Sequence, residues 1–390
     1  MRYLSEVLAD FAAQKLVLLS GPRQVGKTTL AKEWTAGQGT AGSLYLNWDV
    51  PEDRETILKR SFVDGPALRA LVLDELHKYA RWKSWLKGLY DREGRRLEVV
   101  VTGSARLELF QKSGDSLLGR QESLRLHPFS VGELVHGTLR PPPQDWLRGP
   151  SESVPAELWP HLERRGGFPE PFTRDDALQH RRWSTSRRNL LVREDLRELS
   201  HIRELSLVEH LAILLPGRVG SPLSVNALRE ELRVAHETVG SWIDALDRLC
   251  FCFRVAPHHR RIARSLTKNR KLYLWDWSQV EDPGARFENQ VASHLLKAVH
   301  AWTDVGHGEF ELRYVRDKEG NEVDFLVTER NKPLVLLECK LGDEAMAPAL
   351  LKFGEALGVP QVQLVKQRGV DRVRGKTRVV SAENYLAAMV

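Results

Sequence analysis

Cysteine is scarce in this chain: three in 390 residues, Cys250, Cys252 and Cys339. Three thiols cannot build a disulfide framework, and Cys250 and Cys252, alternating along one strand face in CFCF, lack zinc-knuckle spacing. A reducing cytoplasm is the expected setting. Long apolar runs are missing too. In MRYLSEVLADFAAQKLVLLSG the charges of Glu6, Asp10 and Lys15 interrupt every apolar stretch, so no secretory leader is expected. No segment approaches the roughly 20 apolar residues of a membrane span, and no membrane role is expected. Internal repeats and low-complexity tracts are absent as well. The positive surplus is small, +6 with a pI of about 9.2, and points to acidic partners only where it is concentrated.

What is present, 42% apolar and 28% charged residues, suits a globular chain of two or three domains. Residues 1–136 alternate apolar runs with helical patterns: KLVLLSG then KTTLAKEW, SLYLNWD, ALVLDEL then WKSWLKGLYD, and LEVVVTGS. That rhythm predicts a parallel sheet covered by helices on both faces. The RPPPQDW stretch and residues 149–160 break it, and residues 137–205 read as a linker and helical segment. Residues 206–280 read as helix (226–232), turn, longer helix (236–249) and strand, the order of a winged helix. From 281 to 390 a helix (287–300) precedes FELRYVR, EVDFLVT and LVLLECK, with a second helix (347–357) and QVQLV after them. This α-β-β-β-α-β order predicts a mixed-sheet α/β domain.

GPRQVGKT, residues 21–28, matches G-x-x-x-x-G-K-[ST] between a strand and a helix, the context a phosphate loop requires. Backbone N–H groups of Gly21, Pro22 excepted, through Arg23, Gln24, Val25, Gly26, Lys27, Thr28 and Thr29 are placed to wrap the phosphates of ATP. Lys27 reaches the β- and γ-phosphates, and Thr28 offers a hydroxyl to Mg²⁺. LVLDE ends an apolar strand with Asp74, expected to orient the metal, and Glu75, expected to polarise the attacking water. VVVTGS brings Thr102 or Ser104 near the γ-phosphate as a sensor, and Arg120 in LLGRQ is a candidate arginine finger, acting in its own chain or in a neighbouring copy.

The diffuse positive charge has one focus. Arg260, Arg261, Arg264, Lys268, Arg270 and Lys271 follow the second helix with no acid among them. Such a wing would meet DNA phosphates in a salt-sensitive, largely sequence-independent way. A solvated hairpin or a protein contact is the competing reading. Further on, Asp324 in EVDF and Glu338 and Lys340 in LLECK have the D-x(n)-E-x-K pattern of metal-dependent nucleases, where two acids hold Mg²⁺ or Mn²⁺ and a lysine positions water. Strand alternation puts Glu338 and Lys340 on one face and Cys339 on the other.

GPRQVGKTTL, LVLDELHKYARWKSWLKGLYD, VVVTGSARLELF, LLGRQESLRLHPFSVGEL, GGFPEPF, RFENQVASHLL, GNEVDFLV and LLECKLG, in this order, resemble the AAA-type ATPases of bacteria and archaea that carry a C-terminal module long catalogued as a domain of unknown function. The resemblance covers nearly the whole chain. It implies an AAA ATPase domain, a winged-helix segment and a domain built like the PD-(D/E)XK nucleases, with Glu288 as a further metal-binding acid. Val323 stands where the motif's name expects proline. The expected function is an ATPase whose nucleotide state moves a DNA-binding C-terminal half, with or without metal-dependent cleavage. The alternative is a nucleotide-gated scaffold for a protein partner that cuts nothing, and in either case a homo-oligomer can form.

Overall fold

The computed structural model describes residues 2–37, 39, 42–62, 68–103, 117–149, 151–199, 202, 204–258 and 270–390. The chain divides into two compact units, Met1–His127 and Pro128–Val390.

The first unit is built on a five-stranded sheet of β1 (Leu16–Ser20), β2 (Ser43–Asn47), β3 (Ala70–Asp74), β4 (Glu98–Thr102) and β5 (Gln121–Arg125). Its order is β2-β3-β4-β1-β5 and every pairing is parallel. β1 and β3 are buried at all five positions, which is why they read as unbroken apolar runs. Leu16 and Leu18 of β1, Leu71 and Leu73 of β3 and Val99 and Val101 of β4 share one core with Trp82, Trp85, Leu86 and Leu89 of the helix Trp82–Glu93. Burying each such leucine contributes roughly 2 kcal/mol of transfer free energy. Parallel strands send all their C-terminal ends to one edge, so the loops after β1, β3 and β4 come together there.

In the second unit Ser224 caps the helix Val225–Leu232, its hydroxyl accepting from the Ala227 N–H at 3.2 Å. Arg233 turns the chain in the left-handed region before the helix His236–Arg248, which buries Val239, Trp242, Ile243 and Leu246. A hairpin of β6 (Cys252–Pro257) and β7 (Lys271–Leu274) follows. Then come the 22-residue helix Pro283–Asp304, β8 (Phe310–Arg316), β9 (Glu322–Glu329), β10 (Lys332–Lys340), the helix Pro348–Leu357 and β11 (Gln361–Val365), the expected α-β-β-β-α-β sequence. β12 (Asp371–Arg374) and β13 (Thr377–Ser381) extend it, giving an eight-stranded sheet of order β12-β13-β11-β10-β9-β8-β6-β7. The hairpin behind the two shorter helices thus continues the sheet of the C-terminal module. Val323, Leu326 and Leu336 pack beneath Leu350 of the second helix, and between Val323 and Leu326, where Asp324 lies, the register of β9 against β8 shifts by one residue.

Candidate functional site

The loop after β1 takes its shape from three positive-φ residues, Gly21 (144°), Gln24 (65°) and Gly26 (99°). At Gly21 a side chain is also sterically barred, since a Cβ would lie 2.3 Å from the Leu126 carbonyl oxygen. Successive left-handed turns of this kind direct backbone N–H groups into a concavity suited to anions. Lys27 opens the following helix, and its ammonium donates to the carbonyls of Gly21 (3.0 Å) and Pro22 (2.6 Å). Arg2, invisible to motif reading, braces the loop from behind: its guanidinium donates to the carbonyls of Val25 and His127, each at 2.6 Å.

Sheet order decides what meets Asp74. β4 lies between β1 and β3, and β2 flanks β3 on its other side. The Asp74 carboxylate therefore accepts from the hydroxyls of Thr28 at the loop (2.9 Å), Tyr45 of β2 (2.5 Å) and Thr102 of β4. No cation among the described residues is ion-paired to it. Burial first, then the hydrogen bond to Asp74, raises the Tyr45 hydroxyl pKa, so it stays a donor. Thr102, expected near a γ-phosphate, spends its hydroxyl on Asp74. Glu75 has φ 58°, its N–H held by the Thr102 carbonyl at 3.0 Å, and its carboxylate lies 3.5 Å from the Lys78 ammonium. Burial is the main reason its pKa is raised, with the Lys78 charge opposing.

Two expected members stand elsewhere. Arg120 precedes β5, which runs parallel to β1, and its carbonyl accepts from the Leu16 N–H, so it sits at the N-terminal edge of the sheet. A five-residue strand, roughly 16 Å, separates that edge from the loop. The Arg120 guanidinium is paired with Asp91 at 2.9 Å, and a finger role within its own chain is corrected on that ground. Ser104 lies outside the described residues.

In the second unit, one step past the β9–β10 pair Phe325–Leu337, Asp324 and Glu338 come opposite each other. They are joined through the backbone: the Asp324 N–H donates to Glu338 Oε2 (3.3 Å) and the Cys339 N–H to Asp324 Oδ2 (3.0 Å). Lys340 donates to Glu338 Oε1 at 3.0 Å. Asn289 clasps both backbone groups of Leu274 at 2.8 Å, which holds the neighbouring Glu288 against β7. There it accepts from the Tyr273 hydroxyl at 2.7 Å. Burial, then the charge of Asp324, pushes the pKa of Glu288 up to about 7, and the same two causes push Glu338 up to about 7.

Lys271 was expected among the phosphate-facing cations of the wing and is corrected: it is 1% exposed, inside this acidic cluster. Its ammonium lies 3.1 Å from Glu288, 2.7 Å from Glu322 and 3.0 Å from Asp324. Burial works against the charged lysine, but the charges of Asp324, Glu288 and Glu322 outweigh it and the net pKa shift is upward. Sequence alternation carries a faint signal of this, since Lys271 and Tyr273 share one face of KLYL. Of the other wing cations, Arg270 is described and half-buried, while Arg260, Arg261, Arg264 and Lys268 lie outside the described residues. Among the described residues no three His, Cys, Asp or Glu side chains converge to hold a metal ion, and no helix is long and apolar enough to cross a membrane.

A parallel sheet that delivers a glycine-turned phosphate loop and a hydroxyl-ringed carboxylate to one edge is the arrangement of a P-loop nucleotide-binding domain. Residues 13–135 match the family model described as an AAA domain, and this stretch is an AAA-type ATPase domain. Residues 157–280 and 283–385 match two models described as domains of unknown function, DUF8612 and DUF4143. An uncharacterized protein of Haemophilus influenzae is 21% identical over 358 residues, 85% of this chain and 84% of that one. Uncharacterized proteins of Mycobacterium bovis and Mycobacterium tuberculosis are 24% identical over 261 residues, covering 67% of this chain and 54% of theirs. The chain thus spans about half the length of the mycobacterial relatives. Among solved structures, the Thermotoga maritima RuvB Holliday junction branch migration motor overlaps 69% of this chain and 89% of its own at 16% identity and a TM-score of 0.32. Caenorhabditis elegans PCH-2 overlaps 45% and 59% at 17% identity and 0.28. Overlaps this loose do not bear on activity.

Proposed function

We propose that the first unit binds MgATP and hydrolyses it, and that this cycle controls what the second unit holds. The observation that carries the reading is Asp74, a buried carboxylate surrounded by three hydroxyls beside the phosphate loop. Thr28 and Asp74 offer neutral and anionic oxygen to one point, which fits a hard divalent cation such as Mg²⁺. When bound, that ion would neutralise charge developing on the transferred phosphoryl group. The chain's own residues do the rest. Lys27 exchanges its loop carbonyls for phosphate oxygens, the loop N–H groups hold the phosphates, and Glu75, released from Lys78, orients water.

DNA is the partner supported by the basic segment of Arg260, Arg261, Arg264, Lys268 and Arg270. The exposed face of the helix His236–Arg248 offers little help, because Glu237 and Asp244 stand on it with Arg248. Since Arg120 sits at the far edge of its own sheet, an arginine finger in this reading comes from a second copy in a homo-oligomer working in the cytoplasm. In this reading residues 281–390 are a nuclease-like module, and the pairing of its acids with lysines favours one that holds DNA or a protein without cutting it.

The test is ATP turnover by the full chain. Lys27→Ala should bring hydrolysis down by about 100-fold or more while the protein remains folded. Turnover unchanged in that variant would overturn the proposal.

A further inference from the structure

We infer that Lys271 is a resident cation of the acidic cluster in the second unit, standing where a nuclease-like site would hold a divalent metal, so that the module is complete without metal and does not cleave phosphodiesters. The inference rests on the nuclease-like reading of Asp324, Glu338 and Lys340 for the expectation of a metal, and on this structure for its replacement.

The donor count is the first support. An ammonium has three N–H donors, and Lys271 has three carboxylate oxygens around it: Glu322 at 2.7 Å, Asp324 at 3.0 Å and Glu288 at 3.1 Å. Its capacity is filled by Glu322 and by two of the acids, Asp324 and Glu288, that would otherwise ligate a metal. The second oxygens of Glu322 and Asp324 and both oxygens of Glu338 are also engaged, Glu322 Oε2 by Arg316 at 3.0 Å. Asp324 Oδ2 accepts the Cys339 N–H, Glu338 Oε2 the Asp324 N–H, and Glu338 Oε1 the Lys340 ammonium. A divalent ion bound by oxygen needs contacts of about 2.0–2.6 Å to several of these atoms at once. It would have to evict the ammonium and break the backbone ties.

Charge is the second support. Glu288, Glu322, Asp324 and Glu338 face Lys271 and Lys340, and Arg316 pairs with Glu322 at 3.0 Å, so four formal negatives meet three positives. The excess is a single negative charge. A buried acid group left without a cation is strongly destabilising, and here that role is filled by a covalently attached amine. An ion held on the chain has no off-rate, and it is already in place whenever the β6–β7 hairpin is paired.

The position of Lys271 is built rather than incidental. It begins β7, with Val255 of β6 opposite it, and Asn289 locks the other end of the same strand to the helix that bears Glu288. Tyr273, two residues on and on the same face, donates to the Glu288 oxygen that also meets the ammonium.

The experiment is Mn²⁺ binding to the full chain without nucleotide, read by electron paramagnetic resonance, for the wild type and for Asp324→Asn, Lys271→Ala and Lys271→Ala/Asp324→Asn. Any weak uptake at the phosphate loop is common to all four. Wild type and Asp324→Asn should bind alike, whereas Lys271→Ala should gain a site at least about tenfold tighter that Asp324→Asn then removes. Wild-type uptake that Asp324→Asn abolishes would overturn the resident-cation inference and leave the nuclease-like reading standing. A folded Lys271→Ala protein that gains no site would sink both, because the ammonium would then not be standing in for a metal. Should Lys271→Ala fail to fold, the melting temperature of the wild type decides. Indifference to Mn²⁺ and to chelator supports the inference, and a rise with Mn²⁺ that Asp324→Asn loses overturns it.

Discussion

Asp74 and Asp324 are both carboxylates at the ends of sheet strands, and they differ in what faces them. Asp74 meets the hydroxyls of Thr28, Tyr45 and Thr102, all neutral donors. Asp324 meets an ammonium and a backbone N–H. Hydroxyls hold a carboxylate in place while leaving its charge uncompensated, so the site retains affinity for a cation that arrives with a ligand. An ammonium compensates the charge permanently. The first arrangement suits a cycle of binding and release, the second a fixed framework.

The same isosteric change at the two positions should therefore have opposite consequences. Asp74→Asn should lower ATP turnover by about 100-fold, because the metal loses its charged ligand, with little effect on folding. Asp324→Asn should leave turnover by the first unit within about twofold and instead destabilise the second unit by on the order of 3 kcal/mol, the scale of breaking a buried ion pair. Hydrogen exchange at the β9–β10 amides reports the second effect without relying on a single global transition. If both variants lose turnover and neither loses protection, the contrast between a hydroxyl-ringed and an ammonium-paired carboxylate is wrong.

pH sharpens the comparison next. Glu288 and Glu338 are raised from an ordinary 4.5 to about 7 in the folded chain, so the folded state binds their protons more tightly than the unfolded state does. Stability from this source is fully present below pH 4.5 and is lost as pH rises through about 7. For the coupled pair the loss is on the order of 3 kcal/mol. Exchange protection in β9 and β10 should fall between pH 5 and pH 7, and Glu288→Gln should flatten the slope. A slope of the opposite sign would show that the cluster is fully ionised and compensated at acid pH.

A third expectation concerns the buried Thr102. Thr102→Val keeps the shape and removes the donor to Asp74, which should cost roughly 1 kcal/mol of stability and lower turnover about tenfold. Retained turnover would mean that Thr28 and Tyr45 suffice to orient the carboxylate.

Much of this is legible in the sequence. The phosphate loop is local in sequence, and Asp74 and Thr102 each close an apolar strand, so strand, loop and helix could be placed from periodicity and turn residues alone. The shared face of Glu338 and Lys340 follows from alternation, and their nearness to Asp324 from the β9–β10 hairpin. What escaped depends on which strands become neighbours. Tyr45 reaches Asp74 only because β2 lies beside β3. Arg120 in LLGRQ reads as a candidate finger, yet the parallel direction of β5 carries it to the edge of its own sheet opposite the phosphate loop. Lys271 read as one more wing cation because its neighbours in sequence are basic. Its burial follows from the β6–β7 hairpin joining a sheet whose acidic strand lies some fifty residues later, a pairing that no local pattern encodes.

Tyr45 provides the smallest and most discriminating change. Its hydroxyl shares Asp74 Oδ2 with Thr28, while Thr102 takes Oδ1, so Tyr45 duplicates a contact that Thr28 already makes. Its ring also lies under the Lys32 ammonium at 4.4 Å, a contact that phenylalanine keeps. Tyr45→Phe should thus preserve packing and reduce turnover only about threefold, with the change in the metal dependence and not in the maximal rate. Turnover titrated against Mg²⁺ at saturating ATP separates the two. A right-shifted Mg²⁺ curve with an unaltered plateau means the phenol orients the carboxylate for the metal. A lowered plateau at every Mg²⁺ concentration would instead place Tyr45 against the reacting groups, and the hydroxyl ring around Asp74 would then be part of the chemistry and no longer only its support.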